Sequence, residues 1–292
     1  MENRIVERIV APGTPHFVGN GFRVHNFIPS TPGLSMQKMD PFIMLDYNAK
    51  FHFSPSEKPR GVGVHPHRGF ETVTLAYKGR VAHQDSSGGG GIIGEGDVQW
   101  MTAASGLLHK EYHEEAFSKK GGDFHMVQLW INLPAKDKMS APRYQDILHG
   151  EIPRYTLKDQ AGHIEVIAGH YKDVAGKAQT FSPIHMLHAK LEKDGKADFS
   201  FPKTYTTSLL VIEGRIRVNG KDEIPTDHFV VLGNNATDFQ IEASSKALVL
   251  VLSGAPLQEP IVAHGPFVMN NKQEIIQAFE DFNTGKFGVL QD

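Results

Sequence analysis

His65-Pro66-His67 is the stretch that predicts the local fold of this chain, and His109-Lys110-Glu111 repeats its spacing further along. In each stretch, two residues of types that commonly bind metals stand at positions i and i+2. Such residues lie on one face of a β-strand, whereas on a helix the same spacing points the two side chains apart. Pro66 cannot donate to a sheet ladder, so we expect its strand to lie at an edge or to end there. If the two strands are neighbours, three imidazoles and one carboxylate converge, a set that can hold a first-row transition metal.

The composition is that of an ordinary globular protein and excludes several kinds of site. Of the 292 residues, 40% are hydrophobic and 22% are charged, and the net charge is -3. There is no block of basic residues, so we expect no direct contact with nucleic acid. The chain has no cysteine, which excludes disulfides, zinc–thiolate sites, iron–sulfur clusters and a cysteine nucleophile.

Two further observations predict where the protein works. No apolar run approaches the roughly 18 residues of a membrane span, so we expect no membrane partner. The opening residues Met1-Glu2-Asn3-Arg4 have no apolar core of the kind that signal peptides contain. We therefore expect a cytoplasmic protein, although a nuclear one also fits, and we expect it to be a monomer.

The pattern of turns and short apolar runs predicts an all-β protein of two domains. The length is about twice the ~150 residues typical of one domain. Residues 124–133 alternate between apolar and polar positions and are the clearest strand, and residues 156–252 contain several more at the spacing of a sandwich or barrel. We predict a metal-binding domain over 1–134, a polar connection over 135–155, and a second, metal-free domain over 156–292.

One helix is predicted, from Lys272 to Phe282 near the end of the chain. Its apolar residues recur at the helical spacing, and we expect this stripe to pack against a barrel. Asn271 and Glu274 resemble a capping box at its start, and Gly285 follows its end.

The glycine-rich stretch at residues 86–94 formally matches a dinucleotide-binding fingerprint, but its context argues against that function. A fingerprint of this kind needs a helix directly after it. Here Glu95-Gly96-Asp97 forms another turn and residues 98–101 look like another strand. We therefore predict a hairpin turn.

Several other residues are candidates for the site or must be separated from it. Glu71 lies four residues after His67, so by alternation it competes with Glu111 to be the fourth ligand, and the spacing alone does not decide between them. The acid that is not a ligand would then hydrogen-bond a histidine. We expect the remaining histidines of the first half to be surface or internally bonded residues: His83, His113 and His125. His185 and His188 are three residues apart, which a strand places on opposite faces, so we predict no metal pair there.

The motifs together resemble those of the pirins, a branch of the cupin superfamily. The resemblance rests on Gly61–Thr72, on residues 96–101, on His109-x-Glu111 and on residues 128–134. Residues 40–42, 265–270 and 285–288 look similar too, so the resemblance spans nearly the whole chain, with its densest motifs between residues 40 and 134. One departure is Leu75-Ala76-Tyr77, where many pirins have Tyr-Leu-Leu, and it bears on the shape of a substrate pocket.

The resemblance implies a fold, a ligand set and two possible functions. The fold is two tandem cupin (jelly-roll) β-barrels with a short C-terminal helix. The implied metal ligands are His65, His67, His109 and Glu111, which favours Glu111 over Glu71. We expect one divalent transition metal, Fe(II), with Mn, Ni, Cu or Zn also compatible. Some pirins open flavonols such as quercetin with O2, which would make Glu111 the catalytic base, whereas others are iron-containing proteins that bind and modulate transcription factors. The absence of a basic nuclear-localisation run favours the enzyme.

Overall fold

The structure, a computed structural model, describes residues 2–292, and its paired strands are antiparallel. In chain order the strands up to residue 132 are Val6–Val10 (β1), His16–Val18 (β2), Phe22–Ile28 (β3), Phe42–Phe53 (β4), Gly61–His67 (β5), Phe70–Lys78 (β6), Val81–Asp85 (β7), Gly90–Ile93 (β8), Val98–Thr102 (β9), Leu107–His113 (β10) and Gly122–Asn132 (β11). The later strands are Arg143–Ile147 (β12), Arg154–Thr156 (β13), Gly162–Ala168 (β14), His170–Tyr171 (β15), Val174–Ala175 (β16), Ile184–Leu191 (β17), Lys196–Ser200 (β18), Thr206–Glu213 (β19), Arg215–Val218 (β20), Glu223–Pro225 (β21), Phe229–Leu232 (β22), Asp238–Ala243 (β23), Ala247–Gly254 (β24), Val262–His264 (β25) and Phe267–Met269 (β26).

The helices are few and short by comparison. They are Met36–Met39 (α1), Glu115–Lys120 (α2) and Lys272–Asn283 (α3), together with single 3-10 turns at Ala135–Asp137, His149–Glu151 and Lys158–Gln160. Among the described residues, no helix is both long enough and apolar enough to cross a membrane.

Two compact units share one architecture, in which a seven-stranded sheet is combined with a four-stranded sheet. The first unit, Gly13–His149 with Leu257–Asp292, has the strand orders β12-β9-β6-β11-β4-β3-β2 and β5-β10-β7-β8. The second unit, Gly150–Pro256 with the segment that ends at Pro12, has the orders β1-β22-β19-β24-β17-β14-β13 and β18-β23-β20-β21. The predicted all-β fold, with two cupin barrels and a short C-terminal helix, is confirmed.

The units differ from the predicted domains at both ends of the chain. β1 pairs with β22, so the first residues complete the sheet of the second unit rather than that of the first. Near the other end, Asp281 of α3 accepts a hydrogen bond from buried Arg68 at 2.8 Å, which ties α3 to the first unit. The predicted connection over 135–155 is also more than a linker, because β12 adds a strand to the first unit beside β9.

The core of each unit is built by the alternation that β-strands impose. In the second unit the alternate residues of β14, β17, β19 and β24 form one apolar cluster together with residues of the smaller sheet. In the first unit, β10 alternates strictly between buried and partly exposed residues, and Leu107, His109, Glu111 and His113 are the buried set. From His109 onward the inward face of β10 therefore carries polar groups, whereas the inward residues of β23, which holds the same place in the second unit, are apolar.

The C-terminal helix largely follows its sequence pattern. Asn271 caps it by accepting a hydrogen bond from the Glu274 amide at 2.9 Å, and Ile275 and Ala278 are buried. Phe282 differs from the prediction, because it is 37% exposed rather than part of the packed stripe. The Glu274 side chain accepts from the amide of Asn270, one residue before the position that a capping box uses.

Candidate metal centre

Strands β5 and β10 are neighbours, and their register brings the two X-x-X pairs together. His65 lies directly opposite His109, and His67 lies opposite Leu107. The rings of His65 and His109 are 4.2 Å apart between centroids, and those of His67 and His109 are 4.7 Å apart. One nitrogen from each of the three histidines lies within 4.8 Å of the others, a group that can hold a metal ion. As Pro66 predicted, β5 is an edge strand of its sheet.

In each of the three rings the Nδ1 atom makes a hydrogen bond to a neighbouring group, which leaves Nε2 for the site. His65 Nδ1 is 2.8 Å from the Gly63 carbonyl oxygen, and His67 Nδ1 is 3.3 Å from that of Pro266. A nitrogen that faces a carbonyl must carry the proton, so Nε2 of these rings keeps a free lone pair. Nε2 of His109 is buried and has no hydrogen-bond partner among the described residues, so its lone pair is available to a metal ion.

The local electrostatics also fit a metal, because they keep the rings neutral. Burial lowers the pKa of His67 and of His109 well below its usual value, and the neighbouring imidazoles lower each further. A neutral imidazole is the form that coordinates a metal ion. The residues present therefore fit a divalent cation with imidazole ligands.

Glu111 faces the same interior, but it is grouped differently. Its ligand oxygen lies within 4.8 Å of nitrogens of His83 and His109, in a second group that shares His109 with the first. Glu111 Oε1 accepts hydrogen bonds from Thr74 Oγ1 and from Gln99 Nε2, both at 3.3 Å. Oε2 has no such partner among the described residues. One carboxylate oxygen is therefore anchored, and the other is available.

Glu71, the rival acid, lies on the opposite face of its strand. Thr74 points inward to Glu111, and Glu71 is an odd number of residues away on the same strand, so its side chain points outward. There it accepts a hydrogen bond from Thr102 Oγ1 at 2.6 Å, and burial raises its pKa to about 7. Counting alternate residues from His67 had placed Glu71 on the same face as His67. That prediction is wrong because Gly69, with a φ of 92°, turns the chain between β5 and β6.

The site opens into a cavity of about 300 Å³ inside the first unit. Its lining is mainly apolar and contains Val18, Phe22, Val24, Met44, Val62, Met126 and Trp130. The polar lining is Asp46, His65, His67, Glu111 and Gln128. A polar row crosses the sheet behind it, because Asp46, Gln128, Thr74 and Gln99 are register partners on four adjacent strands. This row ends at the two residues that hold Glu111.

The other histidines separate into two kinds. His113 and His125 are buried and bonded within the protein, to the Gly21 carbonyl and to the Tyr47 hydroxyl respectively, both at 2.8 Å. His83 is different, because its Nδ1 lies 3.4 Å from Nδ1 of His109. We had predicted His83 to be a surface or internally bonded residue, outside the site. The signal was nevertheless present, since His83-Gln84-Asp85 has the same i, i+2 spacing as the ligand pairs.

Comparison with known proteins gives a consistent result over nearly the whole chain. The model of the Pirin family matches residues 21–131, and that of the Pirin C-terminal cupin domain matches residues 186–288. A Pseudomonas aeruginosa protein named "Putative quercetin 2,3-dioxygenase" is 48% identical over 93% of this chain and 94% of its own length. A pirin-like protein of Solanum lycopersicum is 41% identical, over 87% and 84% respectively.

A solved structure agrees with these relatives. The crystal structure of a quercetin 2,3-dioxygenase from Acinetobacter baumannii superposes with a TM-score of 0.92 at 45% identity. The match covers 99% of this chain and 100% of that one. Both cupin barrels are therefore matched, together with the segments that hold the histidine cluster.

Proposed function

The chain belongs to the pirin family, and from that premise we propose that it is a metal-dependent dioxygenase that opens flavonols such as quercetin with O2. The observation that carries the proposal is the cavity beside the histidine cluster. At about 300 Å³ it lies at the lower end of the range for small-molecule sites, and its apolar walls suit a flat aromatic substrate. A protein that served only as a binding surface would not need such an interior space.

The proposed cofactor is one divalent transition metal, with Fe(II) as the ion we expect. His65, His67 and His109 would hold it through Nε2, with Glu111 as the fourth ligand. When bound, the metal supplies positive charge that lowers the pKa of a nearby hydroxyl, and a centre that can react with O2. In the overall reaction both atoms of O2 enter the ring-opened product, and one ring carbon leaves as carbon monoxide.

The role we propose for Glu111 is to accept the proton of the flavonol 3-hydroxyl at Oε2. Gln99 donates to Oε1, and the Thr74 hydroxyl, which also donates to Gln128 Oε1 at 2.7 Å, lies 3.3 Å from the same carboxylate oxygen. Together they hold the carboxylate in one orientation. Oε2 is then the oxygen presented to a substrate in the cavity that Glu111 lines. Trp130 and Met126 form part of the apolar wall that excludes water from that proton transfer.

The test is Glu111→Gln, assayed as kcat per bound metal from quercetin-dependent O2 uptake. The amide keeps an oxygen that can accept from Thr74 and Gln99, so the shape of the site should be kept while the base is removed. We expect turnover per metal to fall about 10²–10⁴-fold, the usual contribution of a general base. Dividing by metal content separates lost chemistry from lost metal.

Glu71→Gln is the matched control, because Glu71 is also a buried glutamate but lies on the face of β6 opposite Thr74. It should turn over at nearly the wild-type rate per metal. A wild-type rate in Glu111→Gln would show that another group is the base. If the wild type shows no quercetin-dependent O2 uptake with Fe, Mn, Ni or Cu, the enzyme proposal fails, and the alternative, a metal-containing protein that binds protein partners, takes its place.

A further inference from the structure

The three histidines of the site are oriented by two different kinds of group. His65 and His67 are held by backbone carbonyl oxygens, which can only accept a hydrogen bond. His109 is held by the imidazole of His83, with the two Nδ1 atoms 3.4 Å apart. An imidazole can either donate or accept at that nitrogen, depending on its tautomer. The orientation of His109 is therefore fixed only if something else fixes the tautomer of His83.

Asp85 is placed to do this. Its Oδ2 atom lies 3.3 Å from Nε2 of His83, and both side chains are completely buried. Its other oxygen, Oδ1, accepts from the Ser87 amide at 2.8 Å, from the Ser87 hydroxyl at 2.6 Å and from the Gly89 amide at 3.0 Å. Burial alone would raise the pKa of Asp85, but these hydrogen bonds and the one from His83 outweigh it and lower the pKa. Asp85 is thus a fixed carboxylate that can only accept from His83.

The glycine-rich turn after β7 is shaped around this carboxylate. A Cβ atom on Gly89 would lie 2.3 Å from Asp85 Oδ2 and 2.7 Å from Cβ of Tyr144, so only glycine fits there. The Tyr144 ring stacks on the His83 ring, with the centroids 5.3 Å apart and 17° between the planes. The stretch that resembled a dinucleotide fingerprint is a hairpin turn, as predicted, between β7 and β8. Its backbone amides hold Asp85.

We propose that Asp85 and His83 are positioning residues that fix the tautomer of His109. In this arrangement the proton on His83 Nε2 is donated to Asp85 Oδ2. His83 Nδ1 then has only a lone pair, so it accepts from His109 Nδ1–H, and His109 Nε2 presents its own lone pair to the histidine cluster. The inference rests on the metal centre proposed above, but not on the reaction assigned to it.

Three substitutions separate this role from simple packing. His83→Phe keeps a ring against Tyr144 but removes the acceptor. His83→Asn removes the ring but places Oδ1, an obligatory acceptor, near the former position of Nδ1. Asp85→Asn keeps the shape of the carboxylate, but its amide can donate to His83 Nε2. The proton of His83 then moves to Nδ1, where it faces Nδ1–H of His109, so the hydrogen bond between the two rings is lost.

The experiment measures Zn²⁺ affinity by competition with a chromophoric chelator at neutral pH. We expect His83→Phe and Asp85→Asn to bind Zn²⁺ about 10–100-fold more weakly than wild type, the usual cost of losing a group that orients a ligand. His83→Asn should recover most of that loss. His125→Phe makes the same exchange at another buried histidine of the first unit and should bind as wild type does.

A second readout reports the tautomers directly, through two-bond ¹H–¹⁵N correlations of the imidazoles in the wild type and in Asp85→Asn. We expect the His83 proton on Nε2 in the wild type and on Nδ1 in Asp85→Asn. A wild-type proton on Nδ1, or wild-type affinity in His83→Phe, would overturn the proposal. Equal losses in His83→Asn and His83→Phe would also overturn it, because the imidazole of His83 would then itself be a ligand. Failure of the wild type to bind Zn²⁺ or any other divalent metal would instead refute the metal centre on which the inference rests.

Discussion

His125 is buried as a neutral imidazole, and this should make the stability of the metal-free protein fall as the solution becomes acidic. Burial, helped by the charges of Lys50 and Lys78, lowers the pKa of His125 from 6.5 to about 4 in the folded protein. In the unfolded chain the same ring takes up a proton below about pH 6.5. The unfolded state therefore binds more protons than the folded state between those values, and stability is lost as pH falls from 6.5 to 4.

The size of the effect follows from the two pKa values. One pKa unit corresponds to about 1.4 kcal/mol, so lowering the pH from 7.5 to 5.5 should cost about 1.4 kcal/mol at this residue, and about 3 kcal/mol by pH 4. His125→Phe removes the titrating group and keeps a buried ring. The difference in unfolding free energy between wild type and His125→Phe should therefore shift by about 1.4 kcal/mol between pH 7.5 and 5.5, in favour of the variant.

The assay is urea unfolding in the presence of a chelator at both pH values, in which contributions from all other groups cancel between the two proteins. Tyr47→Phe is the control, because it removes the hydroxyl that bonds His125 at 2.8 Å but leaves the buried imidazole in place. Its pH dependence should match that of wild type. If the difference in unfolding free energy between wild type and His125→Phe does not change with pH, the reasoning is refuted, because His125 would then be protonated equally in the folded and unfolded states.

Three further results are expected. His65→Ala should lose most of the bound metal by elemental analysis, because one ligand of the proposed set is removed; equal metal in both proteins would exclude His65 from the site. His185→Ala and His188→Ala lie in the second unit and should keep the wild-type metal content, whereas loss of metal in either would reveal a ligand that we have not assigned. Arg68→Met should destabilise the protein by roughly 2 kcal/mol in urea unfolding, because Asp281 keeps Lys286 at Oδ1 but loses its buried partner at Oδ2, and adding Asp281→Leu should recover much of the loss. An unchanged midpoint in Arg68→Met would show that this pair contributes nothing.

Local periodicity determined much of what the sequence could predict. Alternation is a property of the strand itself, so residues 124–133 were identified from pattern alone, and the structure has β11 at Gly122–Asn132. The helical spacing near the C-terminus predicted α3 to within a residue of its observed end at Asn283. The i, i+2 spacing of His65 with His67, and of His109 with Glu111, likewise predicted side chains on one face without reference to any partner strand.

Tertiary structure decided which strands meet and which faces turn inward. From the sequence, the alternation of β5 could only be continued through Gly69 to Glu71, which put Glu71 on the same face as His67. In the structure Gly69 turns the chain between β5 and β6, so Glu71 lies on the opposite face and only Glu111 reaches the site. The placement of both chain ends depended on pairings between distant residues, β1 with β22 and Arg68 with Asp281. No periodicity encodes such contacts.

His83 shows most clearly what the spacing of residues determines and what only the tertiary structure decides. The sequence by itself determined that His83 and Asp85 share a face, because they stand two residues apart on a strand. Their relation to the site depended on β7 lying beside β10, where Asp85 is paired with His109 and His83 with Glu111. Spacing along the chain fixes the direction of each side chain, but only the register between strands fixes what that side chain faces.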